Sequence, residues 1–207
     1  MSTRLRGHGD EAGGAAAKPR AVRADALRNT DALLEAALAV FATTGVDAPV
    51  REIAEKAGVG IGTVYRHFAN RSDLVAAVFR REIDACADAA PALAAAHEPG
   101  EALAKWMERY VAFVATKRGL ATALHSGDPT FAPLPAYFDS RLTPALRSLL
   151  DAAAAAGVMR ADVEPGELLS AVASLCMRSG SDGPGQARRM VALLIDGLRY
   201  GAGGGPS

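Results

Sequence analysis

The stretch REIAEKAGVGIGTVYRHF, residues 51–68, decides the fold of this chain. In its first half Ile53, Ala54 and Ala57 share one inward helical face, while Arg51, Glu52, Glu55 and Lys56 point to water. Gly58 has no Cβ and can take the left-handed conformation that a sharp turn between helices needs, and Val59 can plug the resulting angle. Gly60 stands where the next helix is capped. From there Ile61, Val64 and Phe68 are spaced as an anchoring stripe, leaving Gly62, Thr63, Tyr65, Arg66 and His67 free to meet a partner. Two short helices hinged in this way form a helix-turn-helix, whose second helix fits the major groove of DNA. A hairpin that merely packed in a bundle would not need glycine at both 60 and 62. Nor would it gather Thr63, Tyr65, Arg66 and His67 opposite its anchors.

Outward from this stretch the pattern is helical almost throughout. Leu27, Leu34, Leu38 and Phe41 predict a first helix over about residues 24–44, closed by Gly45. Pro49 suits the first turn of the second helix, with Asp47 as the source of a cap. A fourth helix starts near Asn70, capped by Asn70 or Ser72. Its stripe of Leu74, Val75, Val78, Phe79, Ile83 and Cys86 runs toward Pro91, so that it links both halves of the molecule. Further helices are expected over roughly 101–117, 120–125, 135–156, 166–178 and 186–200, with breaks at Gly119, Gly127, Gly157 and residues 179–185. No strand pattern competes. Residues 1–22 read as a disordered arm and 201–207 as a disordered tail.

Half of the 207 residues are hydrophobic, yet no run of eighteen or more apolar residues occurs, which argues against a membrane span. The first twenty residues carry Arg4, Arg6, Lys18 and Arg20 and lack a signal peptide's hydrophobic stretch, so a cytoplasmic protein is expected. Cys86 and Cys176 are too few for a disulfide framework and read as small buried hydrophobes. The formal net charge is zero. Ten Lys/Arg face eight Asp/Glu over residues 1–71, and thirteen face fifteen over the rest, an asymmetry too mild to mark a nucleic-acid binder. His97, His125, Ser126, Asp128 and the cysteines form no nucleophile elbow, HExxH pair, P-loop or CxxC motif. No catalytic residue, metal ligand or cofactor is therefore expected, and the chain does not read as an enzyme.

Three stretches resemble the DNA-binding domain of the tetracycline-repressor (TetR) family of bacterial regulators: RADALRN at 23–29, AGVGIGTVYRHF at 57–68 and NRSDL at 70–74. GVMRAD at 157–162 and LIDGLR at 194–199 resemble, less distinctively, the effector-binding half of one branch of that family. The resemblance implies an all-α fold. Residues 23–70 would form an N-terminal three-helix helix-turn-helix DNA-binding domain, and 71–200 a C-terminal helical effector-binding and dimerisation domain. It also implies that Thr63 and Tyr65 touch base edges and phosphate and that His67 binds a phosphate. Arg71 stands where the family usually has a phosphate-binding lysine, at a helix start that itself favours anions. Arg23, Arg28 and Arg51 could reach phosphates or could simply be solvated. Gly60 departs from the commoner family serine, which puts that hydroxyl's contact in doubt.

One short recognition helix offers few base contacts, and each good pair discriminates by only about 1–3 kcal/mol. A homodimer reading a palindromic operator, with recognition helices about 34–36 Å apart, answers this need. The last two helices supply its natural surface through Leu168, Val172 and Leu175 on one and Val191, Leu194 and Leu198 on the other, although intramolecular packing accounts for part of each stripe. Six of the eleven aromatic residues fall between 106 and 138. Trp106, Met107, Tyr110, Phe113, His125, Phe131, Tyr137, Phe138 and Arg141 could line a site for a small apolar or amphipathic effector, or the rings could simply fill the core. The expected function is a ligand-responsive DNA-binding regulator, with repression as the family's usual mode. The alternative is a helical small-molecule-binding protein that does not bind DNA, favoured by Gly60, the neutral charge balance, and Asp31 and Glu35 on the first helix.

Overall fold

The computed structural model describes residues 18–178 and 183–199, and among these it contains helices and turns but no strand. The first helix, α1 (Lys18–Thr44), starts earlier than its apolar stripe, since Pro19 is tolerated in a first turn. It therefore takes in residues 18–22 of the expected arm; the remainder of that arm and the 201–207 tail lie outside the described residues. Leu33, Leu34, Ala37, Val40 and Phe41 face inward from α1. Gly45, at φ 88°, lets the chain turn into α2 (Val50–Lys56). Pro49 occupies the cap position of α2 rather than its first turn, and no side chain caps it, so Asp47 does not act there.

The turn from α2 to α3 (Ile61–His67) is built as the sequence requires. Gly58 sits at φ 68°, its N–H donates to the Glu55 carbonyl at 3.1 Å, and the Val59 N–H donates to the Ala54 carbonyl at 3.0 Å. This Schellman pair satisfies carbonyls that a helix end would otherwise leave unpaired. The same device, with Gly157 at φ 68°, ends α8 (Leu134–Ala155).

α4 (Arg71–Ala87) is capped by Asn70, whose Oδ1 accepts from the Asp73 N–H at 2.8 Å. It does not continue to Pro91. A separate helix, α5 (Ala89–Ala96), follows and accommodates Pro91 in its first turn, where the missing N–H has no partner to lose. Then come α6 (Pro99–Gly119), the short α7 (Ala121–Leu124), a 3₁₀ turn (Pro129–Phe131), α8, α9 (Pro165–Arg178) and α10 (Gly183–Arg199).

α4 packs against α1 on one side and against α6 and α8 on the other, and α9 and α10 close the bundle over α6. One continuous core runs from Leu33 and Ile53 through Leu74, Val75 and Ile83 to Leu146, Leu149 and Val172. No helix among the described residues is long and apolar enough to cross a membrane. Gly58→Ala should destabilise the protein by about 1–2 kcal/mol, because a Cβ is strained in the left-handed region. Urea unfolding checks this, and an unchanged midpoint would contradict it.

Candidate nucleic-acid interface and effector cavity

α3 docks through Val64, which is 2% exposed, and through the half-buried Phe68. Ile61 does not join them. It is 47% exposed, although α3 packs against α2. Tyr65, one turn on, is 53% exposed, and the two side chains share an outward face. A Cβ on Gly60 or Gly62 would meet nothing within 4 Å, and neither glycine has a positive φ. The fold itself thus does not demand glycine at either position.

The remaining polar residues of this face are partly engaged. Arg66 lies back along its own helix, its Nη2 donating to Thr63 Oγ1 at 2.8 Å and its Nε to the Gly62 carbonyl at 3.2 Å. His67 is exposed, with Nδ1 3.3 Å from Thr30 Oγ1 on α1, so only its other ring nitrogen is left for a phosphate. Arg51 is exposed and 3.7 Å from Glu55. Arg71 is half-buried: Nη1 donates to the carbonyls of Val46 and Ala48, which makes this arginine a strut between α4 and the turn before α2. Arg23 and Arg28 stand on α1, but their side chains lie outside the described residues.

The aromatic segment separates into core, cavity and surface. Trp106 and Met107 are fully buried core residues, and the Trp106 Nε1–H donates to the Cys86 carbonyl at 2.9 Å. Tyr137 and Arg141 lie outside the cavity. The Tyr137 hydroxyl donates to Asp84 at 2.7 Å, and Arg141 pairs with Asp84 at 2.7 Å and Asp88 at 2.6 Å, fastening α8 to α4. Tyr110, Phe113, His125, Phe131 and Phe138 do border open space. A cavity of about 270 Å³ lies among α6, α8 and α9, and another of about 290 Å³ among α4, α7, the 3₁₀ turn and α8. His125, Phe138 and Asp139 border both.

Phe79 on α4 and Leu169 and Ser170 on α9 also line these cavities and escaped the sequence reading, because they sit far along the chain from the aromatic segment; Asp139, beside Phe138 on α8, escaped it because it carries no ring. The Tyr110 hydroxyl donates to the Leu169 carbonyl at 3.1 Å, and burial, followed by the nearby cysteines and Asp139, pushes its pKa above the ordinary value. A larger cleft of about 500 Å³ between α1 and α6 is lined mainly by Leu38, Phe41, Ala115 and Leu120, with fewer polar groups. Burial pushes the Cys86 thiol up to about 12, which leaves it unreactive.

At the far end Leu168, Val172, Val191 and Leu198 are buried within the monomer, packed where α9, α10 and α6 meet. Leu175 and Leu194 are half-buried. The large apolar side chains that remain in water on the described parts of these helices are Met177, Met190 and Leu193, the last 63% exposed.

A short helix held outward beside a tight glycine turn, on a bundle that encloses cavities, defines a regulator of the helix-turn-helix class. The comparisons agree. Residues 33–78 match the bacterial regulatory proteins of the tetR family, and residues 98–200 match the C-terminal domain of SbtR-like transcriptional regulators. The TetR transcriptional regulator SCO0520 from Streptomyces coelicolor is 38% identical, with 82% of this chain and 98% of that one covered and a TM-score of 0.71. A TetR transcription regulatory protein from Mycobacterium vanbaalenii is also 38% identical, with 86% and 99% covered and a TM-score of 0.70. An HTH-type transcriptional regulator of Staphylococcus aureus is 39% identical over 64 residues, 30% of this chain and 35% of that relative, so the match spans about a third of the relative's length. The chain belongs to the TetR family of transcriptional regulators, whose members are DNA-binding proteins rather than enzymes.

Two outcomes follow from this geometry. Gly62→Gln should keep or raise stability, by about 0.5 kcal/mol, since glutamine is the better helix former; if this face is the one presented to DNA, the substitution should lower DNA affinity at least roughly tenfold by filling it. Thermal melting and gel retardation of the same preparation check both halves. Tyr110→Phe removes a buried hydrogen bond to the Leu169 carbonyl and should cost about 1 kcal/mol. Because the Tyr110 pKa is raised on folding, its contribution is intact below pH about 10 and is lost as pH climbs further. The wild type should therefore lose stability above pH about 10 more steeply than Tyr110→Phe, as read by urea midpoints across that range.

Proposed function

We propose that this regulator is a repressor which binds a palindromic operator as a homodimer and releases it when a small apolar or amphipathic effector enters the cavities around Phe138. The observation that carries the DNA half is the open outward face of α3, with Tyr65 and Ile61 in water and Gly60 and Gly62 free of any internal demand. In this reading residues 23–70 read DNA, with Thr63, Tyr65, His67 and Arg51 at the duplex and Arg66, still donating to Thr63, beside them. Residues 71–200 hold the effector and the second subunit. Dimerisation through α9 and α10 is supported by Met177, Met190 and Leu193, which leave apolar surface in water, with Leu175 and Leu194 beside them.

The effector half rests on the paired cavities rather than on the larger α1–α6 cleft. They combine several rings with a few polar handles, His125, Asp139 and Ser170, the mixture that orients a small ligand. A route to the DNA runs through Ser72 at the start of α4, whose hydroxyl donates to Asp128 at 2.6 Å. Asp128 in turn accepts from the Thr130 N–H at 2.8 Å and so holds the 3₁₀ turn that carries Phe131 into the cavity wall. An effector that moves Phe131 pulls on Ser72 and α4. It releases DNA only in so far as it binds the displaced arrangement more tightly, with coupling of about 1–3 kcal/mol.

Selection from random DNA by the full chain should yield a palindrome with half-sites one helical turn apart, or multiples of it. Tyr65→Ala should remove retardation of that operator without lowering the melting temperature. A monomeric complex on a single half-site, or undiminished binding by Tyr65→Ala, would contradict the reading. Once an effector is in hand, Asp128→Ala should still bind it and still bind operator, with the effector's power to release DNA reduced about fivefold or more. Undiminished release would rule out the Ser72–Asp128 route.

A further inference from the structure

We propose that Ile61 selects a thymine in each half-site by packing against its C5-methyl group. The inference rests on the reading that the outward face of α3 enters the major groove. Three observations lead to it. The docking of α3 is completed by Val64 and Phe68, and Ile61 takes no part in it, so a large aliphatic side chain is left in water at 47% exposure. Tyr65 stands four residues on along the same face, and Gly62 beside Ile61 offers no side chain, with open space where a Cβ would stand, so nothing projects in front of Ile61 from that position. The hydrogen-bonding groups of the same turn, Thr63 and Arg66, are paired with each other at 2.8 Å and lie back along the helix. What this turn offers first is therefore hydrocarbon.

The major-groove edges of guanine, cytosine and adenine present donors and acceptors, and thymine alone presents a methyl group. Isoleucine set against the polar edges would strip them of water and return no hydrogen bond. Against the methyl it removes apolar surface of both partners from water. Preference for thymine thus comes from both sides, reward at one base and desolvation penalty at the others. Adjacent Tyr65 can reach the neighbouring phosphate or base without competing for the same spot.

The test uses the full chain and the operator that it selects from random DNA. Each thymine of the half-site is replaced in turn, in both half-sites, by deoxyuridine, which removes only the methyl and keeps Watson–Crick pairing. The expected result is one position at which binding weakens roughly fourfold per half-site, the worth of one buried methyl. Ile61→Ala should bind the thymine operator more weakly and be indifferent to the methyl at that position, whereas Ile61→Val should retain part of the preference. Since the side chain is exposed, Ile61→Ala should melt as the wild type does, which separates readout from folding. A half-site without thymine, thymines that can all be replaced without loss, or an Ile61→Ala protein that keeps the wild-type thymine-to-uracil ratio would overturn the proposal while leaving groove entry by α3 intact. Selection that retains no sequence at all would remove groove entry itself, and this inference with it.

Discussion

The structure depends on the way a seven-residue helix is held. A helix as short as α3 has no stability of its own in water, because the cost of nucleation is spread over too few hydrogen bonds. It exists because Val64 is buried and Phe68 packs against the core, and because the left-handed Gly58 fixes the angle at which the chain leaves α2. That minimal docking has a functional consequence. With so little of α3 used for attachment, its other faces stay open, and an open helical face beside two small glycines is what a DNA groove can receive.

The second constraint is mechanical. α4 belongs to both halves of the molecule. At its start Arg71 grips the Val46 and Ala48 carbonyls of the reading head and Ser72 grips Asp128, while Phe79, two turns further along, forms part of a cavity wall. Interiors are packed too densely to deform by degrees, so a ligand that displaces the Phe131 or Phe138 rings must move a whole element. The element nearest to hand is the one that carries the hydrogen bonds to the DNA-binding end. Arg71 in this arrangement ties α4 to the turn before α2.

What sequence revealed, and what it hid, divides along one physical line. Gly45, Gly58 and Gly157 as helix ends, Asn70 as a cap and the helix-turn-helix itself are local facts, set by backbone conformation and by spacing within a few residues. Periodicity identifies an apolar face but not what will cover it. Ile61 has the spacing of an anchor, yet it stands half in water; Leu168 and Val191 have the spacing of an interface, yet α6 and their own hairpin consume them. The aromatic run misleads in the same way. Trp106 and Met107 turn into the core and Tyr137 and Arg141 onto Asp84, while Tyr110, Phe113, His125, Phe131 and Phe138 share the cavities with residues such as Phe79 and Leu169 that lie far off in the chain. Local signals misled at two prolines: Pro49 took the cap position itself and left Asp47 no role there, and Pro91, which can end one helix, sits equally well in the first turn of the next.

The claim beneath all of this is that the exposed side of α3 meets a phosphate-lined groove. The most direct measurement is the salt dependence of DNA binding by the intact protein, followed by fluorescence anisotropy on a selected operator. Phosphate contacts release counterions, so log K should fall linearly with log salt concentration with a slope of roughly −5 or steeper for a dimer making several contacts per subunit. Affinity that is flat across the salt range, or retention equally strong for any polyanion, would contradict the account.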